Sequence, residues 1–289
     1  MDRINYLSAY YGAMLFKKDP AELHAQALAL LNSGSEADGE KAFRLFLKAA
    51  KRGNATSQFY VASMYHSGIC VDQSIPDAFA WYRRSAEQGF ADAQVNLGTL
   101  YEDFDTGEGD LGFAYEWYSK AAKQGHAVAV NNLGNMYELG RHVDKDPVRA
   151  FEYYTDAAAK GYDAAQYNVG RCFAEGIGCS QDLSKAAVWY QKAADQGNLY
   201  AINNLATLYL EGRGVERSYP KAYELFKKAA DSGLSYGYMG LGEMYEKGYH
   251  VRQSREEAEK WYAKAVAAGC TEAEECLERM NSGSGISGE

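Results

Sequence analysis

Cysteine is scarce in this chain, and its placement follows no pattern. Five cysteines occur among 289 residues, an odd number with no paired spacing that recurs along the chain. That excludes a disulfide in every structural unit and points to a reducing compartment. Positive charge is also short: 30 Lys and Arg against 39 Asp and Glu leave a net charge of −9. Phosphate binding needs a basic stripe, so nucleic acid is not expected as the main partner, although a local basic patch stays open. No window approaches about 18 consecutive apolar residues, so no membrane span is expected. The opening Met1-Asp2-Arg3-Ile4-Asn5-Tyr6 lacks a basic stretch leading into an apolar run and a small-residue cleavage site. A secretory signal is therefore not expected, and the expected location is cytoplasmic.

Signatures of chemistry are missing too. There is no His-Glu-x-x-His, no paired Cys-x-x-Cys, no phosphate loop and no nucleophile elbow. No catalytic residue, metal ligand or cofactor is therefore expected. Asp103, Asp105 and Asp110 give the stretch from Glu102 to Asp110 a superficial likeness to a calcium loop. The twelve-position ligand pattern is absent, and a solvated loop is the expectation. Cys172 and Cys179 stand where other units carry Met, Leu or Val, so both read as small apolar packing residues.

What the chain does have is a ruler. Gly53, Gly89, Gly125, Gly161, Gly197, Gly233 and Gly269 are each 36 residues apart, and six of the seven follow an Ala-Ala or Ser-Ala pair. Such a period is the mark of a repeat architecture. Seven repeats run from Lys18 to Gly269, each reading as two helices. A good N-cap residue precedes each expected second helix: Asp38, Ser74, Asp110, Asp146, Asp182, Ser218 and Ser254. Pro147 follows its cap directly, where no N–H is missed. Each ruler glycine stands where a C′ residue would close the second helix. Gly or Ala recurs inside the first helix (Ala62, Gly98, Gly134, Gly170, Ala206, Gly242), and aromatic pairs such as Trp81-Tyr82 recur in the second. Helical spacing assigns these to the core. Residues 1–17, with Ile4, Leu7, Tyr11, Met14 and Leu15 at helical spacing, are expected to form an N-terminal capping helix. Residues 270–280 are expected to form a C-terminal capping helix and 281–289 a flexible Ser- and Gly-rich tail.

The recurring pattern is Ala-x-x-x-Leu-Gly-x-x-Tyr, a Gly-x-x-Val loop, then Ala-x-x-Trp-Tyr-x-x-Ala-Ala-x-x-Gly. It resembles the Sel-one-like repeat family, a relative of the slightly shorter tetratricopeptide repeats. The resemblance covers Lys18 to Met280. Repeat one departs most, lacking the Leu-Gly pair, and repeat three replaces the Gly and Val of its loop. The resemblance implies an all-α fold, an α/α superhelical solenoid, acting as an adaptor or scaffold for a protein or peptide partner. A monomer is expected when the chain is alone. A regulatory subunit or a secreted effector is the alternative, and a hydrolase of β-lactam or cell-wall type a remote one.

Helical arithmetic then separates two faces of the first helix. Away from the packing cluster lie Asn96, Asn132, Asn168 and Asn204, with Thr99, Asn135, Arg171 and Thr207 one turn on. Amides offer both donors and acceptors, which suit an extended peptide backbone. Asparagines so placed in tetratricopeptide proteins line the concave groove, and the resemblance implies the same here. The other reading is that these amides bond neighbouring helices and hold the superhelix pitch; both can hold together. One turn back the position varies through Asp92, Val128, Ala164, Tyr200 and Tyr236, a place for selectivity.

Overall fold

The protein is described by a computed structural model over residues 19–103 and 108–282. The N-terminal capping helix expected over 1–17 lies outside the described residues, as does residue 105 of the acidic stretch and residues 283–289 of the expected tail. Among the described residues there are fifteen helices and no strand. The first-helix series is α1 (Pro20–Leu31), α3 (Ala55–Ser67), α5 (Ala91–Asp103), α7 (Ala127–Leu139), α9 (Asp163–Glu175), α11 (Leu199–Glu211) and α13 (Ser235–Lys247). The second-helix series is α2 (Glu36–Ala50), α4 (Ile75–Glu87), α6 (Glu108–Lys123), α8 (Pro147–Ala159), α10 (Leu183–Asp195), α12 (Tyr219–Asp231) and α14 (Arg255–Ala267). The final helix, α15 (Glu272–Ser282), closes the series.

The chain divides into two compact units, Met1–Leu133 and Gly134–Glu289, the division falling within α7. In each unit helices pack on their sequence neighbours, the arrangement of an α/α solenoid. In the C-terminal unit α9 also touches α11, and α11 touches α13, so first helices form one layer.

The expected caps hold at four sites. Ser74, Asp146, Asp182 and Ser254 accept the backbone N–H of Asp77, Arg149, Lys185 and Glu257, each worth about 1 kcal/mol. Ser218 occupies the N-cap of α12 without a side-chain bond. Asp38 does not cap. The link between α1 and α2 is only residues 32–35, so α2 starts early, with Ser35 before it, and Asp38 instead bonds Ser33 and Lys41. Asp110 lies within α6, which begins at Glu108. The ruler glycines all end second helices with φ between +85° and +92°, a conformation that costs an L side chain dearly.

One alanine per second helix, from Ala42 and Ala78 through Ala258, is 0% exposed. Beside it lies a tyrosine ring: Tyr82, Tyr118, Tyr154, Tyr190 and Tyr262 are all buried. The ring takes up the space that a first-helix glycine leaves. A Cβ on Gly134 would come within 2.7 Å of the Tyr154 ring, and Gly98, Gly170 and Gly242 stand likewise against Tyr118, Tyr190 and Tyr262. Contact with that ring offsets the roughly 1 kcal/mol that glycine costs inside a helix. The neighbouring Trp117, Trp189 and Trp261 are half-buried, each covered by a lysine ammonium at 3.8–4.0 Å. They are therefore core on one side and cation–π partners on the other.

Candidate functional site

The eight residues singled out on the first helices are all half-buried. What they touch follows from the tyrosines below them. A buried phenol needs a partner for its hydroxyl, and the first helices supply it.

In the N-terminal unit, Asn96 donates an amide N–H to the Tyr82 hydroxyl at 3.1 Å, and Ser63 meets the same hydroxyl at 3.1 Å. Tyr118 donates to the Glu102 carboxylate at 2.8 Å and lies 3.2 Å from the Thr99 hydroxyl. Asn132 completes that set with a bond to Tyr118. Burial pushes the Tyr118 phenol well above its ordinary value, so it stays a neutral donor.

The C-terminal unit holds a charged version. The Tyr154 hydroxyl stands 2.7 Å from both Asn135 Oδ1 and Glu138 Oε2. Arg171, on the next first helix, donates to the same Glu138 oxygen at 2.5 Å and lies 3.9 Å from Glu175. Burial works against the Glu138 charge, yet the bonds from Arg171 and Tyr154 and the nearby cation hold its carboxyl below the usual 4.5. Asn204 donates to the Tyr190 hydroxyl at 3.3 Å, and Thr207 donates to the Asn203 carbonyl at 3.2 Å. Asn168 stands at the matching place on α9, also half-buried. Tyr262 donates to Glu246 at 2.8 Å, and Arg279 meets that carboxylate at 2.9 Å.

The structure thus brings Thr99 and Asn132 together through Tyr118, and Asn135 and Arg171 together through Glu138. The tyrosine hydroxyls and the carboxylates of Glu102, Glu138 and Glu246 were not among the residues read from the sequence. A signal for them existed. Tyr82, Tyr118, Tyr154 and Tyr190 are each followed fourteen residues later by asparagine, whereas Phe46 is followed by Tyr60 and Phe226 by Gly240. The apolar exceptions extend further, since Ala27 and Leu30 face Phe46, and Leu210 takes the carboxylate's place near Phe226. At the fourteen-residue position asparagine thus follows four of the five buried second-helix tyrosines and neither phenylalanine.

Two aromatic rings lie outward on the same layer: Tyr200 is 55% exposed and Tyr236 is 42% exposed. Tyr167 lies 6.0 Å from Tyr200, and the Tyr236 hydroxyl meets Glu272 at 3.4 Å. Cys172 and Cys179 are free thiols, and burial pushes the Cys172 thiol up to about 12. Among the described residues, no group of three or more His, Cys, Asp or Glu could hold a metal ion. No helix there is long and apolar enough to cross a membrane.

Comparison with known proteins agrees with this architecture. No curated protein matches the chain. Among solved structures, it is similar to c5321, described as a protective antigen of uropathogenic Escherichia coli with an SLR fold (TM-score 0.72, 32% identity). That match covers 89% of this chain and 56% of the E. coli chain, so this chain spans little more than half of that relative. It is also similar to a Sel1 repeat protein from Oxalobacter formigenes, with TM-score 0.71 and 28% identity over 91% of this chain and 77% of that one. The Sel1 repeat model matches residues 25–54, 55–90, 91–126, 127–162, 163–198, 199–234 and 235–270, in the same 36-residue phase as the glycine ruler. The chain belongs to the Sel1 repeat family.

Proposed function

We propose that this chain is a binding scaffold whose first-helix faces hold an extended segment of a protein partner. Sel1 repeat scaffolds generally mediate protein–protein interaction and are typically non-catalytic. The observation that carries the finer reading is the half-buried polar face itself. Asn96 makes one hydrogen bond among the described residues, to Tyr82, which leaves its amide oxygen and second N–H for a peptide backbone. Asn96, Thr99 and Asn132 line this half-buried face in the N-terminal unit, and Asn135, Asn168, Arg171, Asn204 and Thr207 line it in the C-terminal unit. One amide can serve both purposes: in Asn96 a single N–H bonds the tyrosine, and the other donor and the acceptor remain for a ligand. A peptide docking there meets donors and acceptors that are already oriented, so less ordering entropy opposes binding.

The test is affinity capture from the native cell lysate, comparing wild type with Asn132→Ala/Asn168→Ala after circular dichroism has shown both folded. A discrete partner held by wild type and lost from the variant supports the reading. Equal capture by the variant sinks the assignment to the asparagine faces. Unfolding of the variant assigns these amides to structure alone.

A further inference from the structure

In the first-helix layer of the C-terminal unit one carboxyl group stands apart among the described residues. Most of the layer's carboxylates are engaged. Glu138 is held by Arg171 and Tyr154, Glu246 by Tyr262, Arg279 and Lys247, and Glu211 by Arg213. Glu243 makes no hydrogen bond or ion pair with any described residue, although it is half-buried on α13. Its position is the one that Ser63, Thr99, Asn135, Arg171 and Thr207 occupy in earlier repeats. There the side chain of Ser63, Thr99 or Asn135 meets a tyrosine hydroxyl. The corresponding Tyr262 bonds Glu246 alone among the described residues, and two carboxylates cannot share one phenol proton as a carboxylate and a neutral Thr or Asn can share it at Tyr118 and Tyr154. Its charged neighbours are Glu211 and Glu246 on one sign and Lys247 and Arg279 on the other. Both cations bond Glu246. Burial first, then the two nearby carboxylates, push the Glu243 carboxyl above its ordinary value. A cation arriving from outside relieves that cost.

On the same two helices, two turns toward the N-termini, the rings of Tyr200 and Tyr236 lie exposed. Exposed aromatics in adjacent repeats of one layer are unusual, because rings of this size are normally covered. We propose that α11 and α13 dock an extended basic peptide, with Tyr200 and Tyr236 taking its apolar side chains and Glu243 its lysine or arginine. Charge complementarity selects this occupant: among the described residues of these two helices, Glu243 is the carboxyl group without a hydrogen bond or ion pair, and tyrosine rings attract cations as well as apolar groups. The proposal rests on the peptide-binding reading above and names the chemistry of its partner.

The test uses the whole purified chain on an array of short random peptides, followed by fluorescence anisotropy with the best binders. Wild type is expected to retain peptides in which Lys or Arg adjoins Leu or Phe. Glu243→Gln is expected to weaken these by about tenfold, equivalent to ~1.4 kcal/mol. The same peptides with Ser in place of the cation should bind wild type and Glu243→Gln alike. Glu243→Lys should shift the preference toward Asp and Glu, and Tyr200→Ser/Tyr236→Ser should abolish the apolar preference. An array with no basic enrichment, binding by Glu243→Gln unchanged, or a face covered by a second copy in sedimentation overturns the proposal. If Asn132→Ala/Asn168→Ala loses these peptides while Glu243→Gln keeps them, the peptide-binding reading stands and this site falls. The opposite pair of results leaves this site standing and removes the asparagines from binding.

Discussion

Asn96 and Tyr82 are joined by a hydrogen bond from an amide on one repeat to a buried phenol on the repeat before it. Asn204 and Tyr190 repeat the arrangement, whereas Phe226 lies against Gly240, whose added Cβ would stand 2.4 Å from the ring. A double-mutant cycle therefore separates bonding from mere adjacency. Tyr190→Phe and Asn204→Ala should each destabilise the fold in urea, with a coupling of about 0.5–1.5 kcal/mol between them. A coupling of zero, with both single variants near wild type, contradicts a stabilising role for the bond.

Glu138 gives the fold a pH dependence whose sign follows from its surroundings. Its folded carboxyl is held below the ordinary 4.5 by Arg171 and Tyr154 against the effect of burial. A depressed acid stabilises the native state above its unfolded value, and that contribution is lost as the pH falls through its folded value. Urea midpoints of wild type should thus fall below about pH 4.5 more steeply than those of Arg171→Met, which lacks the bond at the start. Parallel pH profiles for the two proteins count against this ion pair as a source of acid sensitivity.

Gly39 and Cys70 form a complementary pair of another kind. Cys70 has φ +60°, and a Cβ on Gly39 would stand 2.3 Å from its sulfur. Two loops further along solve the same crowding from the opposite side. Gly178 (φ +67°) and Gly214 (φ +72°) press against the backbone of Pro147 and Leu183, where a Cβ would come within 2.0 Å and 2.4 Å. Gly39→Ala should therefore cost about 1–3 kcal/mol by overpacking, despite its better helix propensity. Cys70→Gly should recover most of that loss and, alone, should relieve the roughly 1–2 kcal/mol that a left-handed conformation costs an L residue. Thermal denaturation of the four proteins checks both, and additive effects disprove the pairing.

The regular parts of the fold were legible because each rests on local chemistry. A cap acts on N–H groups two or three residues away, and Ser74, Asp146, Asp182 and Ser254 work as read. Asp38 misled because the period was projected onto a repeat whose connecting loop is shorter. The tyrosine partners were illegible for a different reason. Their spacings of fourteen, sixteen and nineteen residues come from how two helices cross and stack, which no single-helix periodicity encodes. The exceptions at Phe46 and Phe226 were visible as letters, but they carry meaning only once the register is known. Glu243 lies one repeat beyond the asparagine row, where the position of Asn204 is taken by Gly240, so the row that marks Thr99 to Thr207 does not reach it.

The bond from Asn to Tyr crosses a repeat boundary, so each unit such as residues 91–126 carries the amide for its predecessor and the phenol for its successor. Such a unit is self-complementary under tandem duplication. A copied segment arrives with both halves of its joints, and the array lengthens without any compensating mutation. A Phe226-type unit has no such freedom, since its successor must supply the Gly240 that makes room for the ring. Growth of the array by gene duplication is thereby easiest among the middle repeats and constrained at the joint between the sixth and seventh.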